Sequence, residues 1–408
     1  MQRSNIGSKY VWREGSEHCK FQAGSIGLSG MSTVKPAFHN WLCTGDAVFP
    51  AMLEAIQSAQ RTIRFETYIY APDHVGERFR NALLAARQRG VTVRVLVDAL
   101  GSYGLPMNYW DSLREAGGEA RWFNPIKLGR LGFRSHRKLL VCDEEVAFIG
   151  GFNIAKEYEG DGVKTGWCDL GLQLTSPLAA DLAVSFDEMF ERADFRHKRL
   201  MRLRKTSAKK DIMERDGELL LSGPGRGNNP FKRALRTDLA RAKNVRIIAA
   251  YFLPTWRIRR DLMRIAQRGG RVQLILAGKS DVAISQLACR SLYRRLLKAG
   301  VEIYEYQPQI LHAKLILIES AVYIGSANLD PRSLSLNYEL MVRFQNEELA
   351  MEAADQFQRN LEYCRRIELE AWRKSRSWWN RLRQRWAYFI LARLDPFVAR
   401  WQYKRMPN

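Results

Sequence analysis

Cysteines are few in this 408-residue chain, and no two of them form a recognisable pair. The six cysteines are scattered, at positions 19, 43, 142, 168, 289 and 364. Structural zinc sites and the disulfide frameworks of small secreted domains both need cysteines at short, regular spacings. We therefore expect neither a zinc site nor a disulfide scaffold, and we interpret the cysteines as reduced thiols.

Long apolar segments are also missing. The longest one near the C-terminus is WAYFILA, residues 386–392, whereas a membrane-spanning helix needs about 18 apolar residues or more. Residues 1–20 are polar and lack the apolar core of a secretory signal peptide. The sequence therefore predicts a protein that is either soluble or attached to one face of a membrane.

Acidic residues are too few to balance the basic ones. The chain has 65 lysines and arginines against 43 aspartates and glutamates, which gives a formal net charge of +22. Such an excess favours an anionic partner, such as a nucleic acid, an anionic lipid or a phosphorylated substrate. A solvated basic surface without a partner is the alternative that composition leaves open.

The last fifty residues concentrate both charge and aromatic side chains. Residues 359–408 hold thirteen lysines and arginines, only four acidic residues, and five of the eleven tryptophans. Arginines interleaved with Trp, Tyr and Phe suit a helix that lies in a membrane interface. The alternative is a tail that packs on the domain core, and the two can hold together.

The sequence repeats itself. SHRKLLVCDEEVAFIGGFN (135–153) parallels LHAKLILIESAVYIGSAN (311–328), and the segments before and after each motif also match as strands and helices. Alternating strands and helices predict an α/β fold with two tandem domains, each a mostly β sheet flanked by helices. The predicted boundaries are an N-terminal extension at 1–38, domain 1 at 39–195, a basic linker at 196–215, domain 2 at 216–360 and the tail at 361–408.

Histidines are scarce, and two of the six occupy equivalent places in the repeated motif. His136 and Lys138 are two residues apart before an apolar run, so on a strand they point to the same face. His312 and Lys314 repeat this arrangement. Two such half-sites meeting at a pseudo-twofold axis would place two imidazoles and two ammonium groups around one phosphate, with no acidic cluster to hold a metal.

That set of groups suits phosphodiester exchange. Ammonium and amide groups donate hydrogen bonds to phosphate oxygens. One imidazole can attack phosphorus while the other protonates the leaving alkoxide, and a second alcohol then takes the phosphoryl group from histidine. The residues therefore predict a metal-independent, two-step transfer.

These motifs resemble the HKD motifs of the phospholipase D superfamily. Beyond the motifs, FIGGFN, LHAKL and GSANLDPRSLSLNYEL are similar to segments of bacterial cardiolipin synthases of the B type. The resemblance implies two α/β domains that share one active site, no cofactor, and transfer of a phosphatidyl group between phospholipids, with phosphatidylglycerol as the expected lipid. It also implies peripheral attachment to the cytoplasmic face of the cell membrane, and no nucleic-acid partner.

The resemblance also implies roles for individual residues. It makes His136 and His312 the nucleophile and the general acid/base, with His136 as the expected nucleophile. It assigns the histidine-orienting role to Asp169 and Glu339. Asp143 and Glu319 are the acidic residues of the two catalytic motifs. The residues expected to bind phosphate are Lys138, Lys314, Asn153, Asn328, Gly151 and Ser326.

Asp143 and Glu319 stand apart from the other motif residues. Both follow the end of the apolar strand, beyond the catalytic face, and there we expect a structural role. The second motif has Glu where the family has Asp, and its turn to the next strand is one residue shorter.

Two other functions remain open from the sequence. A hydrolase of the same fold, either a phospholipase D or a metal-independent nuclease, fits the basic charge. A non-catalytic binder of anionic lipid also fits the charge, but two intact His-Lys-Asn sets disfavour it. The aromatic and arginine-rich tail favours a lipid enzyme over a nuclease.

Overall fold

The structure is a computed structural model, and it describes residues 38–126, 133–193, 210–213, 217–224 and 228–395. Nearly all of the predicted N-terminal extension, most of the predicted linker and the end of the tail lie outside these residues. The first half contains strands β1 (Phe38–Leu42), β2 (Thr62–Thr67), β3 (Thr92–Asp98), β4 (Glu119–Phe123), β5 (Leu139–Cys142), β6 (Val146–Gly150) and β7 (Gly171–Thr175). Its helices are α1 (Gly45–Ser58), α2 (His74–Gln88), α3 (Asp111–Glu115) and α4 (Leu178–Glu191).

The second half repeats this series of elements. Its strands are β8 (Lys210–Met213), β9 (Glu218–Ser222), β10 (Asn244–Ala249), β11 (Arg271–Ala277), β12 (Glu302–Tyr306), β13 (Lys314–Ile318), β14 (Ala321–Gly325), β15 (Glu339–Gln345) and β16 (Cys364–Arg366). Its helices are α5 (Pro230–Arg241), α6 (Trp256–Gln267), α7 (Ala283–Arg290), α8 (Tyr293–Lys298), α9 (Glu347–Glu362), α10 (Leu369–Lys374) and α11 (Trp378–Phe389), and a π-helical turn (Ile390–Leu394) follows α11.

The two sheets share one strand order. The first runs β1-β7-β6-β5-β2-β3-β4, and the second runs β8-β9-β15-β14-β13-β10-β11-β12-β16. Without its two edge strands, the second sheet has the same order as the first, with β9 in the place of β1 and β13 in the place of β5. The structure therefore confirms the internal duplication and the mixed α/β architecture.

The second sheet extends beyond the boundaries predicted for its domain. Strand β8 lies in the segment predicted as linker, and β16 lies in the segment predicted as tail. β8 pairs with β9, and β16 pairs with β12, so each adds one strand to an edge of the sheet.

Strands β5 and β13 lie in the middle of their sheets. All residues of both strands are buried, as the apolar runs after each His-x-Lys pair predict. Buried on both faces, such a strand reads as a continuous apolar run rather than an alternating one. The His-x-Lys residues at the start of each strand are therefore attached to a segment that is packed on both faces of its sheet.

The two halves share a central core. One apolar cluster joins Leu139 and Ile149 of the first sheet to Leu315 and Ile324 of the second, together with residues of α4 and α9. Two further clusters lie on the outer sides of the sheets, under α1 and α2 in the first half and under α5 to α8 in the second. Because burial of apolar surface is the main favourable term in folding, this shared core fixes the two halves against each other.

The described part of the tail is helical and packs on the second half. Ala387 of α11 is buried in the outer core of that half, and Tyr388 and Leu391 pack against it. Across the residues that the structure describes, no helix combines the length and the apolar character needed to cross a bilayer.

Candidate active site

The structure brings the two His-Lys pairs to the interface between the halves. Each pair lies at the beginning of its central strand, β5 or β13. The His136 N–H donates to the Tyr338 carbonyl oxygen at 2.9 Å, and the His312 N–H donates to the Cys168 carbonyl oxygen at 2.7 Å. Each motif is thus tied by its backbone to the residues just before β15 or β7 of the other half.

Each histidine is paired with a carboxylate from the other half. His312 Nδ1 lies 2.6 Å from Asp169 Oδ2, and His136 Nδ1 lies 3.2 Å from Glu339 Oε2 and 3.1 Å from the Ser326 carbonyl oxygen. Both neighbours of His136 Nδ1 are acceptors, so this nitrogen carries the proton and Nε2 keeps its lone pair. A carboxylate in this position fixes the tautomer and stabilises the imidazolium form.

The two carboxylates are themselves held differently. Glu339 is fully buried and accepts hydrogen bonds from Ser326 Oγ at 2.5 Å and from Ser333 Oγ at 2.6 Å. Burial raises the pKa of Glu339, but His136, Lys138 and the serine donor outweigh it, and the net pKa is lowered. Glu339 is therefore ionised behind His136.

The position of the Asp169 carboxylate requires a glycine at residue 151. It accepts the Leu170 N–H at 2.8 Å, and a Cβ added to Gly151 would lie only 2.1 Å from Asp169 Oδ1. In the repeat, Ser326 stands where Gly151 stands. One half therefore leaves space for a carboxylate at this position, and the other uses a hydroxyl to hold one.

The two lysines are both buried, and Lys314 is near enough to Lys138 to affect its pKa. Lys138 Nζ donates to the His136 carbonyl oxygen at 2.7 Å, and Lys314 Nζ donates to that of His312. Burial and the nearby Lys314 lower the pKa of Lys138 to about 7, and burial also lowers the pKa of Lys314. An anion bound between the two lysines would relieve this repulsion, so the site favours a phosphate group.

Burial also lowers the pKa of both histidines. For His136 and His312 the nearest lysine adds to the effect of burial, and the carboxylate partner opposes it. The lowered pKa values favour the neutral form of both imidazoles. A neutral imidazole with a free Nε2 lone pair is the form that can attack phosphorus.

The two asparagines predicted to bind phosphate have different surroundings. Asn153 accepts the Ile69 N–H at 3.1 Å and donates to the Tyr158 hydroxyl at 2.6 Å. Asn328 is buried, and its Oδ1 has no hydrogen-bond partner among the described residues. Asn153 is thus held by the protein through both its amide oxygen and its amide nitrogen, whereas no described residue holds the Asn328 amide oxygen.

The structure does not bring Asp143 and Glu319 to this cluster. Asp143 lies in the turn after β5 and accepts three backbone N–H groups, those of residues 60, 61 and 62. Glu319 lies in the turn after β13 and accepts the N–H groups of Lys243 and Asn244. Both carboxylates lie at the far ends of the central strands, where they fix the starts of β2 and β10.

Several residues around the histidines are not duplicated between the two halves. The Tyr68 ring lies 5.0 Å from the His136 ring, and the Lys138 ammonium lies 5.3 Å from the same tyrosine ring. Tyr158 Oη lies 3.5 Å from His312 Nε2, and the Trp167 ring lies 5.6 Å from the His312 ring. The repeat has Ala250 in the place of Tyr68 and Ser333 in the place of Tyr158, so a search for duplicated residues passes over both tyrosines.

Two buried ion pairs are likewise found only in the first half. Glu66 and Arg137 approach to 3.1 Å, and Asp98 and Arg134 approach to 3.4 Å. Their counterparts in the second half are apolar: Ile248 and Ala313 for the first pair, Ala277 and Ile310 for the second. Ser135 Oγ donates to Glu66 and the Ser135 N–H donates to Asp98, so both acids support the chain next to His136.

Taken together, the cluster contains two imidazoles, each backed by a carboxylate, and two lysines that can neutralise a phosphate. Among the described residues, no group of three or more His, Cys, Asp or Glu side chains could hold a metal ion. The groups present are sufficient for attack on phosphorus, for protonation of a leaving alkoxide and for activation of an incoming alcohol.

Comparison with known proteins agrees with this geometry. The family model described as "Cardiolipin synthase, PLD-like domain" matches residues 52–190 and 235–361. The chain is 32% identical over 364 residues to cardiolipin synthase B of Salmonella typhimurium, which covers 87% of this chain and 88% of the relative. It is also 32% identical over 347 residues to cardiolipin synthase 1 of Bacillus anthracis, covering 82% of this chain and 68% of the relative.

A solved structure shows the same fold at low identity. The phosphatidylserine synthase of Haemophilus influenzae Rd KW20 superposes with a TM-score of 0.69 at 14% identity, over 88% of this chain and 94% of that one. The duplicated fold, the paired histidines and the match over both halves lead to one conclusion. This chain belongs to the cardiolipin synthase family, whose members are built from phospholipase D-like domains.

Proposed function

We propose that this protein is a phosphatidyltransferase that joins two phosphatidylglycerol molecules to form cardiolipin. The bound phosphate anion and Asp169 favour the imidazolium form of His312 before the first step. His136 Nε2 then attacks the phosphorus of the first lipid, the bond to the headgroup glycerol breaks, and His312 gives its Nε2 proton to the leaving glycerol oxygen. His312 then takes the proton from the headgroup hydroxyl of the second lipid. That oxygen attacks the phosphatidyl-histidine and restores His136.

The pairing of each imidazole with a buried carboxylate from the opposite half supports this proposal most directly. A nucleophile and a general acid/base are both needed on one phosphorus, and the cross-paired histidines supply both in one buried site. Lys138 and Lys314, with the amides of Asn153 and Asn328, are proposed to hold the phosphate oxygens. Charge of this kind placed before the reaction is a large part of transition-state stabilisation.

The assignment of phosphatidylglycerol rests on the names of the relatives and on charge. A net charge of +22 favours an anionic lipid. We propose that the protein meets this lipid at a membrane surface through helix α11.

Helix α11 has two opposite faces. With roughly 100° per residue in an α-helix, one face carries the exposed side chains Trp378, Trp379, Leu382, Trp386 and Phe389. The other face carries the buried Gln384 and Ala387. Arg383 and Arg385 lie on either side of the aromatic face, as suits a helix with rings at headgroup depth and guanidinium groups on lipid phosphates.

The test of the proposed function is direct. Purified protein is incubated with phosphatidylglycerol vesicles, and the lipids are analysed by mass spectrometry. We expect cardiolipin and free glycerol in equal amounts, and we expect neither from His136→Ala or His312→Ala. Release of phosphatidic acid without cardiolipin would show a hydrolase instead, and absence of any lipid product would refute the proposal.

A further inference from the structure

The segment that follows helix α11 contacts the loop that supports His136. After the π-helical turn, the Asp395 carboxylate accepts two hydrogen bonds from Arg332, from Nε at 2.7 Å and from Nη2 at 2.6 Å. Arg332 lies in the loop between β14 and β15, four residues after Asn328. A bidentate arginine–carboxylate pair fixes orientation as well as distance, so the tail is held to this loop at a defined angle.

The same loop holds the carboxylate behind His136. Ser333 follows Arg332, and its hydroxyl donates to Glu339 Oε1 at 2.6 Å. Glu339 Oε2 in turn lies 3.2 Å from His136 Nδ1. Three consecutive contacts therefore lead from the tail to one catalytic imidazole.

Among the described residues, this series of contacts leads from Asp395 to His136 and not to His312. In the repeat, Glu157 stands in the place of Arg332, and the carboxylate behind His312 is held by the Leu170 N–H. The Glu339–His136 contact is also the longer of the two histidine–carboxylate contacts, at 3.2 Å against 2.6 Å for His312. The less tightly held pair is thus the one that the tail can influence.

We propose that Arg332 is a positioning residue that links the lipid-facing helix α11 to the Glu339–His136 pair. An anionic lipid surface that binds the aromatic face of α11 favours the arrangement described here, in which the Arg332–Asp395 ion pair holds the loop and keeps Ser333 and Glu339 behind His136. The proposal rests on the proposed function for the identity of the surface. It adds that contact with this surface raises turnover itself, separately from local enrichment of substrate.

A soluble substrate separates these two effects. Dihexanoyl phosphatidylglycerol, kept below its micelle concentration, serves as donor and acceptor, and vesicles of phosphatidylcholine and phosphatidic acid supply an anionic surface. We expect these vesicles to raise kcat for the soluble lipid about fivefold or more, within the usual range of coupling between two sites. KM should change little, because the soluble substrate does not partition with the surface.

Substitutions at Asp395 test the link. Asp395→Asn removes the charge and leaves the shape, and it should abolish the rise in kcat while binding to the vesicles is retained. Asp395→Glu keeps the carboxylate and should restore part of the rise. The control is Glu370→Gln in α10, which removes the same charge from an exposed pair with Arg373 and should leave the rise intact.

Three results would overturn the proposal: no rise in kcat in the unchanged protein, a full rise in Asp395→Asn, or an equal loss in Glu370→Gln. If Asp395→Asn does not fold, Arg332→Lys takes its place, because it keeps the positive charge but loses the bidentate contact. A full rise in kcat in that variant would also overturn the proposal. The coupling is measured on total release of glycerol, from transfer or hydrolysis. The proposed coupling can therefore be absent in a protein that makes cardiolipin, and it can be present in a protein that makes only phosphatidic acid.

Discussion

At the scale of single residues, the proposed mechanism depends on the cross-paired carboxylates. Asp169 is 2.6 Å from His312 Nδ1, and its replacement by Asn would keep the volume while removing the charge that stabilises the imidazolium form. In a serine protease triad the equivalent change costs about 10⁴-fold in kcat. We expect Asp169→Asn to lower kcat about 10²-fold or more with little change in melting temperature.

The matched variant is Glu339→Gln, which makes the same change behind His136. Steady-state kinetics on one substrate would compare the two. Near-normal kcat in a folded Asp169→Asn variant would contradict the role of the carboxylate.

A second residue-scale prediction concerns pH. Because the pKa of Lys138 is lowered to about 7, its ammonium group loses its charge as the pH rises through that value in the free enzyme. A phosphate-bearing substrate binds the charged form, so kcat/KM should fall as the pH rises above about 7. The pH profile of kcat/KM reports groups of the free enzyme.

Lys138→Arg keeps a positive charge at every pH in this range. In that variant the fall above pH 7 should be weaker or absent, even if the overall rate is lower. An unchanged profile would assign the fall to another group.

At the scale of elements, the buried ion pair between Glu66 of β2 and Arg137 is replaced by apolar residues at the equivalent positions of the second half. Removing one partner of a buried pair leaves an uncompensated charge and costs about 3–5 kcal/mol, whereas replacing both by apolar residues is often neutral. The second half contains Ile248 and Ala313 at these positions. We therefore expect Glu66→Ile to lower the unfolding free energy by about 3 kcal/mol or more, measured by denaturant unfolding.

The double variant Glu66→Ile with Arg137→Ala carries the pair found in the second half. It should recover much of the stability lost in the single variant. No recovery would show that Glu66 acts mainly through its contact with Ser135.

The repeat predicted the elements well, and the reason lies in particular residues. The apolar runs after His136 and His312 are short and end at acidic turns, which favours buried strands, and the equal spacing of His and Lys places both side chains on one face. The one-residue difference in the following turns is also visible in the strand pairing, which leaves three residues between β5 and β6 and two between β13 and β14.

What the sequence could not predict depends on contacts between the halves. Nothing in the order of residues shows that Asp169 faces His312 and Glu339 faces His136, because that pairing arises only when the two sheets dock. Tyr68 and Tyr158 are missed since they have no duplicated partner. The contact between Arg332 and Asp395 joins segments that carry no periodic signal.

At the scale of the whole molecule, the exposed face of α11 is expected to attach the protein to membranes. Arginines near an anionic surface contribute about 1 kcal/mol each, and salt screens this attraction, whereas the apolar contribution of the tryptophans does not depend on salt. Replacing Trp378, Trp379 and Trp386 by Gln should therefore weaken binding to phosphatidylglycerol vesicles at high and low salt alike, as vesicle sedimentation would show.

Turnover of the soluble substrate without vesicles should be nearly unchanged in this variant. Met351→Gln, at an exposed apolar position on α9, is the control and should bind vesicles normally. A large fall in melting temperature in the tryptophan variant would point to a structural role for these side chains instead. Unchanged vesicle binding would refute the membrane role of α11.

The cross-pairing of histidines and carboxylates also has a consequence during synthesis. His136 leaves the ribosome 203 residues before Glu339, the carboxylate that must stand behind it. Asp169, the partner of His312, is made earlier, but the two residues meet only when the two sheets dock. A nascent chain therefore lacks a complete set of histidine–carboxylate pairs for most of its translation, and phosphodiester transfer by the proposed mechanism begins only after Glu339 has been made and the two sheets have docked.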